Sequence, residues 1–175
     1  SIDLKIPEEV TCVDVRILFP PEFPCKIKSV FVSKNVKKIV SLGNLLETVE
    51  TIKVDEDNPI YDSRDNCNAI IETRTNKLIA GCKNTMIPNS VEVIGEGAFR
   101  GTGITKINLP DGLQKIGNEA FSKCTKLQSL TIPASVSEIG KETFKSASNI
   151  TEISVDENNQ KYDSRENCNA IIETE

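Results

Sequence analysis

The sequence contains no histidine and no tryptophan, and aromatic residues make up only 5% of it. The absence of histidine excludes any mechanism that uses an imidazole as general base or metal ligand. It also weakens a catalytic role for the six cysteines, because a cysteine nucleophile most often works with a histidine. No Cys-x-x-Cys pair is present, so the sequence does not support a zinc site.

Long hydrophobic runs and clusters of one charge are also missing. No apolar stretch approaches the roughly 18 residues that a membrane-spanning helix requires. Lysine and arginine are spread along a chain with a net charge of −5, so no basic stripe indicates nucleic-acid binding. No glycine-rich loop lies between a strand and a long helix, which argues against a phosphate-binding loop.

The sequence does contain one repeated pattern, in Ile87–Phe99, Leu109–Phe121 and Ile132–Phe144. A fixed period of about 20–29 residues with apolar residues in set positions predicts a solenoid in which each repeat is one coil. A single coil cannot offset the conformational entropy of ordering its own backbone, so neighbouring coils must share an interior. The phenylalanine that ends each repeat is therefore expected to stack in one buried aromatic column.

These residues resemble the BspA-like leucine-rich repeats of bacterial surface and secreted proteins, whose pattern runs L-x-x-I-x-I-P-x-x-V-x-x-I-G-x-x-A-F. The match is strong from Thr85 to Val155 and recognisable at intervals elsewhere. The resemblance implies a mainly β fold with short helical or 3-10 turns. It implies more specifically a right-handed leucine-rich-repeat solenoid with a parallel sheet and inserted β-hairpin coils.

A longer repeat is superimposed on the short one. The stretch Asp55–Thr73 recurs almost unchanged as Asp156–Thr174. We interpret the chain as one solenoid domain, with degenerate N-terminal coils (1–46), an insert coil with a hairpin (47–86), regular coils (87–155) and a truncated second insert (156–175). The second copy stops before its return strand, which would leave ladder groups open. We therefore expect a fragment, or an arm supplied by a neighbour.

Each coil is expected to begin with a short strand, and these strands are expected to pair side by side in one parallel sheet. The expected strand ends are Ile6, Val32, Val54, Ile87, Leu109, Ile132 and Val155.

The first insert is predicted to contain a β-hairpin, because two β-rich runs flank the polar loop Thr73–Asn76. If the arms pair evenly outward from the loop, Cys67 comes opposite Cys82. A disulfide between these two cysteines is then geometrically allowed, and a surface location would favour it. The alternative is a reduced pair at the base of the hairpin. A second bridge, between Cys12 and Cys25, is also conceivable.

Two other groups of residues suggest chemistry but have simpler explanations. Cys124 lies at a core position and is expected to be a buried, inert thiol. The acidic clusters Asp55–Asn58 and Asp156–Asn159 offer oxygen ligands for calcium. Their spacing fits no EF-hand loop, and Asp and Asn also form turns through local side-chain hydrogen bonds. We therefore predict no metal site and no cofactor.

The outward side chains of the sheet are expected to form a protein-binding face. Val30 and Val32 should point inward, so Phe31 between them should point outward, where an exposed aromatic could anchor a partner. Single exposed apolar residues are also common without any function. The predicted binding face comprises Phe31, Lys53, Lys106, Asn108, Ser129, Thr131 and Glu152.

The expected function is non-enzymatic binding. Resemblance to the BspA-like family implies an extracellular or cell-surface location and adhesion to host extracellular or cell-surface proteins. The alternative is a structural spacer that holds another domain away from the cell surface. An enzyme would require a deep pocket with convergent charged groups, for which the sequence gives no sign.

Overall fold

The computed structural model describes residues 2–14, 26–42, 46–164 and 170–174. Its regular structure is almost entirely β, with short 3-10 turns such as Arg64–Asn66. The strands in chain order are β1 (Ile2–Lys5), β2 (Cys12–Asp14), β3 (Ile27–Val32), β4 (Lys38–Ser41), β5 (Thr51–Val54), β6 (Tyr61–Asp62), β7 (Ala69–Glu72), β8 (Lys77–Gly81), β9 (Val93–Ile94), β10 (Lys115–Ile116), β11 (Ser129–Ile132), β12 (Glu138–Ile139), β13 (Glu152–Val155), β14 (Tyr162–Asp163) and β15 (Ile172–Glu173). Within the described ranges, no helical segment has the length and apolar character of a membrane span.

The predicted solenoid is confirmed, but its main parallel sheet has two parts instead of one. Strands β1, β3 and β5 form the first part, and β11 and β13 form the second. A single bridge between Lys106 and Ser129 extends the second part by one coil. The expected continuous sheet is therefore wrong, because the first insert lies at the break. The insert forms hydrogen bonds with the chain on both sides of the break. The Ser63 hydroxyl accepts one from the Val54 amide at 2.6 Å, and the Cys67 carbonyl accepts one from the Met86 amide at 3.0 Å.

A second sheet forms on the return legs of the coils. Its strand order is β12-β10-β9-β8-β7-β6. Strands β8, β9, β10 and β12 run parallel, while β6, β7 and β8 alternate in direction. The predicted hairpin is therefore confirmed, and it continues the return-leg sheet.

The register of the hairpin differs from the even pairing expected from the sequence. Ile71 pairs with Leu78, but Ile70 pairs with Ala80, so Ile79 is the extra residue of a β-bulge. An insertion of one residue reverses the faces on which the following side chains lie.

The bulge separates the two cysteines that even pairing would have brought together. Cys67 is buried in one core cluster, whereas Cys82 is buried in the other. Both are free thiols. The possible disulfide between Cys67 and Cys82 is therefore not formed, and the alternative of a reduced pair holds, since the two thiols lie on opposite sides of the hairpin. Cys25, the partner considered for the exposed Cys12, is outside the described residues, as is most of the predicted first return leg.

The hairpin divides the interior into two hydrophobic clusters. Ile71 and Leu78 belong to the C-terminal cluster, while Ile70 and Ala80 belong to the N-terminal cluster. All four side chains are buried. A hairpin that is buried on both faces thus acts as a partition between two cores.

The aromatic column is present in the C-terminal cluster. The ring centroids of Phe99 and Phe121 are 5.2 Å apart with an interplanar angle of 7°. Those of Phe121 and Phe144 are 5.7 Å apart with an angle of 5°. Phe99 and Phe121 are fully buried, so the prediction of a stacked interior column is confirmed.

The glycine after each return strand allows neighbouring coils to approach closely. A Cβ atom added at Gly117 would lie 2.7 Å from the amide nitrogen of Glu96, and one at Gly140 would lie 2.4 Å from that of Asn118. Real Cβ atoms do not approach backbone this closely, so these positions accept only glycine without a shift of the coil.

Candidate binding face

The outward side chains of the main sheet form two rows that cross its strands. Row A is Asp3, Ser29 and Thr51 in the N-terminal half and Lys106, Ser129 and Glu152 in the C-terminal half. Row B is Lys5, Phe31 and Lys53 in the N-terminal half and Asn108, Thr131 and Ser154 in the C-terminal half. Paired neighbours in adjacent strands are about 4.8 Å apart. We call these two rows together the sheet face; all seven predicted binding residues belong to it.

In the N-terminal half, Phe31 lies between two lysines. The register pairs Lys5 with Phe31 and Phe31 with Lys53. The Lys5 ammonium is 5.7 Å from the centroid of the Phe31 ring, a cation–π distance. Phe31 points outward as predicted, but it is half-buried because neighbouring side chains cover part of the ring.

Beside these rows, a carboxylate neutralises two other lysines. Glu50 contacts Lys83 at 2.6 Å and Lys28 at 3.8 Å. The hydrogen bond from Lys83 lowers the pKa of Glu50 below its ordinary value. Within the described residues neither Lys5 nor Lys53 has a carboxylate partner, so their charges remain available to a ligand.

The C-terminal half of the face is polar and nearly balanced in charge. A shallow depression of about 290 Å³ lies there, and Asn108, Ser129 and Thr131 contribute to its lining. The Thr131 and Ser154 hydroxyls are 3.0 Å apart and hydrogen-bonded. The outward rows of this half offer hydrogen-bonding groups for a partner, while Ile107, Leu109 and Leu130 supply apolar surface within the depression.

The sequence-based set of binding residues missed Met86. Its side chain is 66% exposed, more than any other large hydrophobic side chain in the described ranges. Aligning Ile87-Pro88 with Ile132-Pro133 gives Met86 the position in its coil that Thr131 has in its own. The repeat alignment would therefore have found this residue, which takes the row B position in the coil before Asn108. The first insert separates it from Lys53 in the main sheet.

The acidic clusters considered for calcium are used by the fold itself. Asn58 is buried, and its amide donates to the carbonyls of Ser33 and Val36 at 2.9 and 3.1 Å. Its oxygen accepts from the amides of Ile60 and Tyr61, both at 2.9 Å. No cluster of three or more potential metal-binding side chains occurs among the described residues.

The second insert repeats this arrangement. Asn159 donates to the carbonyls of Pro133 and Val136 at 2.8 and 2.9 Å, and it accepts from the amides of Lys161 and Tyr162. The Asn159 amide therefore links this insert to the preceding coil, as the Asn58 amide does in the first insert; we call each of these hydrogen-bonded asparagines a clamp.

The buried cysteines are protonated thiols. Burial raises the pKa of Cys67 to about 11 and also raises the pKa of Cys82 and Cys124. Cys124 donates to the Phe99 carbonyl at 2.9 Å, so it occupies the core as predicted. A thiol that stays protonated at neutral pH and lies away from solvent is a poor nucleophile.

A larger groove of about 420 Å³ lies on the return side of the coils. Its floor includes Ile39, Val40 and Ile79, and an ion pair of 2.9 Å between Arg100 and Glu119 lies at its rim. Lys77 and Glu96 also line the groove, and among the described residues its lining contains no thiol or hydroxyl group.

A comparison with protein families matches residues 71–174 to the BspA type leucine rich repeat region, in six copies. A search of curated proteins found no match. The fold is similar to a leucine-rich repeat protein from Eubacterium ventriosum ATCC 27560, with a TM-score of 0.72, 19% identity, and coverage of 87% of this chain and 41% of that one.

Two further solved structures share the fold. The pneumococcal vaccine antigen PcpA aligns with a TM-score of 0.55 and 20% identity over 75% of this chain and 40% of that one. A leucine rich cell surface protein from Faecalibacterium prausnitzii A2-165 aligns with a TM-score of 0.51 and 19% identity over 95% and 51%. The chain thus spans about half or less of each of these proteins.

Proposed function

Since the chain belongs to the BspA-type leucine-rich repeat family, we propose that it is a non-enzymatic binding module at the bacterial surface or outside the cell. The proposed partner is a host extracellular or cell-surface protein, and the proposed contact surface is the sheet face. A solenoid presents an extended surface of this kind while its inward residues maintain the fold.

The observation that carries this proposal is the alternation of inward and outward side chains along the main strands. Inward residues such as Val30, Ile52 and Leu130 are buried in the cores, whereas the alternating residues contribute nothing to these cores. The outward set still contains a half-buried phenylalanine, an exposed methionine and charged groups. Aromatic residues and methionine are enriched where protein interfaces form.

The location at the surface is supported by the family and by two neighbours of similar fold. One is named as a cell surface protein and the other as a vaccine antigen. These names describe those proteins, and their identity to this chain is too low to carry a partner across.

The test is binding to an array of purified human extracellular-matrix and cell-surface proteins. The matched variants are Thr131→Arg on the sheet face and Ala134→Arg, which is exposed just beyond the strand end. We expect wild-type protein and Ala134→Arg to bind the same array member, and Thr131→Arg to bind it more weakly. Equal binding by both variants would remove the C-terminal half of the sheet face as a contact surface.

A second candidate, a structural spacer, is favoured by the identical clamps of Asn58 and Asn159. Two inserts that are held to their neighbouring coils by the same hydrogen bonds can lengthen a solenoid without binding a ligand. If no array member binds the wild-type protein, the spacer becomes the better explanation.

A further inference from the structure

We infer that the N-terminal half of the sheet face binds an acidic peptide segment in which two carboxylates flank an apolar side chain. The carboxylates would meet Lys5 and Lys53, and the apolar side chain would contact Phe31. This inference rests on the proposed function, since it names the chemistry of the partner of that face.

The charge of this half is the first argument. The protein carries a net charge of −5, yet row B here contains two lysines and no carboxylate. Within the described residues these lysines form no ion pair, whereas Lys28 and Lys83 beside them share Glu50. A lysine without an internal partner adds a full attraction to an incoming carboxylate, because no existing pair has to be broken.

The spacing is the second argument. Lys5 and Lys53 each lie one strand away from Phe31, so their backbones are about 10 Å apart. In a polyproline-II segment, residues three apart lie on the same side and are about 9 Å apart. Acidic residues at positions one and four of such a segment therefore match the two lysines.

The apolar residues distinguish a peptide from a sulfated polysaccharide. Both ligands carry anions, but a polysaccharide has no apolar side chain to cover Phe31. The C-terminal half differs in charge. There Lys106 and Glu152 flank Ser129 in row A, and their opposite charges nearly cancel. That half has neither an uncompensated cation pair nor an exposed apolar residue in its rows.

The test uses a fluorescein-labelled peptide that repeats the unit Glu-Phe-Gly-Glu, with fluorescence anisotropy as the readout. We expect binding by the wild-type protein that weakens as salt is raised. Lys53→Glu should weaken it about tenfold, because reversal removes one attraction and adds a repulsion, each worth up to about fivefold at an exposed site. Phe31→Thr, which introduces the type of residue found at Thr131, should also weaken it.

The matched control is Lys106→Glu, which changes the net charge equally on the other half of the face. It should alter binding less than about twofold. Circular dichroism of each variant checks that the fold is retained, which we expect because these side chains are at the surface.

Three results would overturn the inference. The first is equal binding of a peptide in which glutamine replaces glutamate. The second is an equal loss with Lys106→Glu and Lys53→Glu. The third is binding of heparin, used as the competing probe, without binding of the peptide. If the peptide does not bind but Thr131→Arg weakens binding to a protein of the array, the inference is wrong and the proposed function stands. If neither the peptide nor any array protein binds, both are wrong.

Discussion

Among the described residues, the N-terminal and C-terminal coils place their phenylalanines in different environments. In the C-terminal coils, three phenylalanines stack inside the solenoid, and the outward rows are polar. In the N-terminal coils, the described core consists of aliphatic side chains, Tyr61 and Cys82, while Phe31 lies on the surface between two lysines. Among the described residues, the stacked phenylalanine rings thus belong to the C-terminal half, and the sheet face carries a phenylalanine only in the N-terminal half.

The largest expected effect comes from breaking the aromatic column. Phe121→Ala should lower the free energy of unfolding by about 3–5 kcal/mol, because it leaves a cavity between two stacked rings. Phe31→Ala should cost less than about 1.5 kcal/mol, since the ring is already half exposed. Urea titrations followed by circular dichroism measure both values. Similar costs for the two variants would contradict the comparison.

A smaller effect is expected from adding a single methyl group between coils. Gly117→Ala should destabilise the protein by about 1–3 kcal/mol, because its Cβ atom would press on the backbone of the preceding coil. Gly112→Ala is the control, since its Cβ atom would come no closer than 3.6 Å to a neighbouring atom. Thermal melts of both proteins should separate them, and an unchanged melt for Gly117→Ala would mean that the coils can shift apart.

The two clamps allow the halves to be compared with the same substitution. Asn58→Leu and Asn159→Leu each leave buried carbonyl and amide groups without partners, which should cost about 1–3 kcal/mol per variant. We expect the first value to be the larger one, because the insert that contains Asn58 carries the hairpin packed between the two core clusters. Denaturation curves measure the difference. A larger loss of unfolding free energy for Asn159→Leu would contradict the expectation that the first insert contributes more to stability.

The smallest effect concerns pH. Burial tends to raise the pKa of Asp62, but hydrogen bonds from Arg64 and Thr73 outweigh it, so the folded pKa is lowered from its ordinary value of 3.8. The resulting stability is present above that value and disappears as the pH falls through the lower folded pKa. Asp62 is partly exposed, so this contribution should be below about 1 kcal/mol.

Asp62→Asn should therefore lower the stability at neutral pH slightly and reduce its fall in acid. Unfolding free energies measured between neutral and strongly acidic pH check this. A variant whose curve runs parallel to that of the wild-type protein would show that the Asp62–Arg64 pair contributes nothing.

Repetition made the interior of the molecule predictable. The position of Phe121 in its coil equals that of Phe99 and Phe144, so a shared core required them to stack. The same alternation correctly placed Phe31 and Thr131 outward. Met86 was left out of the predicted binding set, although the alignment of Ile87-Pro88 with Ile132-Pro133 gives it the position of Thr131.

The calcium hypothesis shows where composition alone misleads. Asp and Asn at 55–58 are suitable cation ligands in isolation, yet the amide of Asn58 is fully used by four hydrogen bonds. The sequence contains no information about which carbonyls of the preceding coil come within reach.

The sequence by itself determined the solenoid, its period, its inward and outward positions and its two related inserts, because these features are repeated locally along the chain. The tertiary structure decided the register of the hairpin, the separation of Cys67 from Cys82 and the break in the main sheet. Both faces of the hairpin are buried, so Ile70 and Ile71 are equally apolar, and no alternation of polar and apolar residues records which face each side chain takes. Only packing between the two cores fixes the bulge at Ile79.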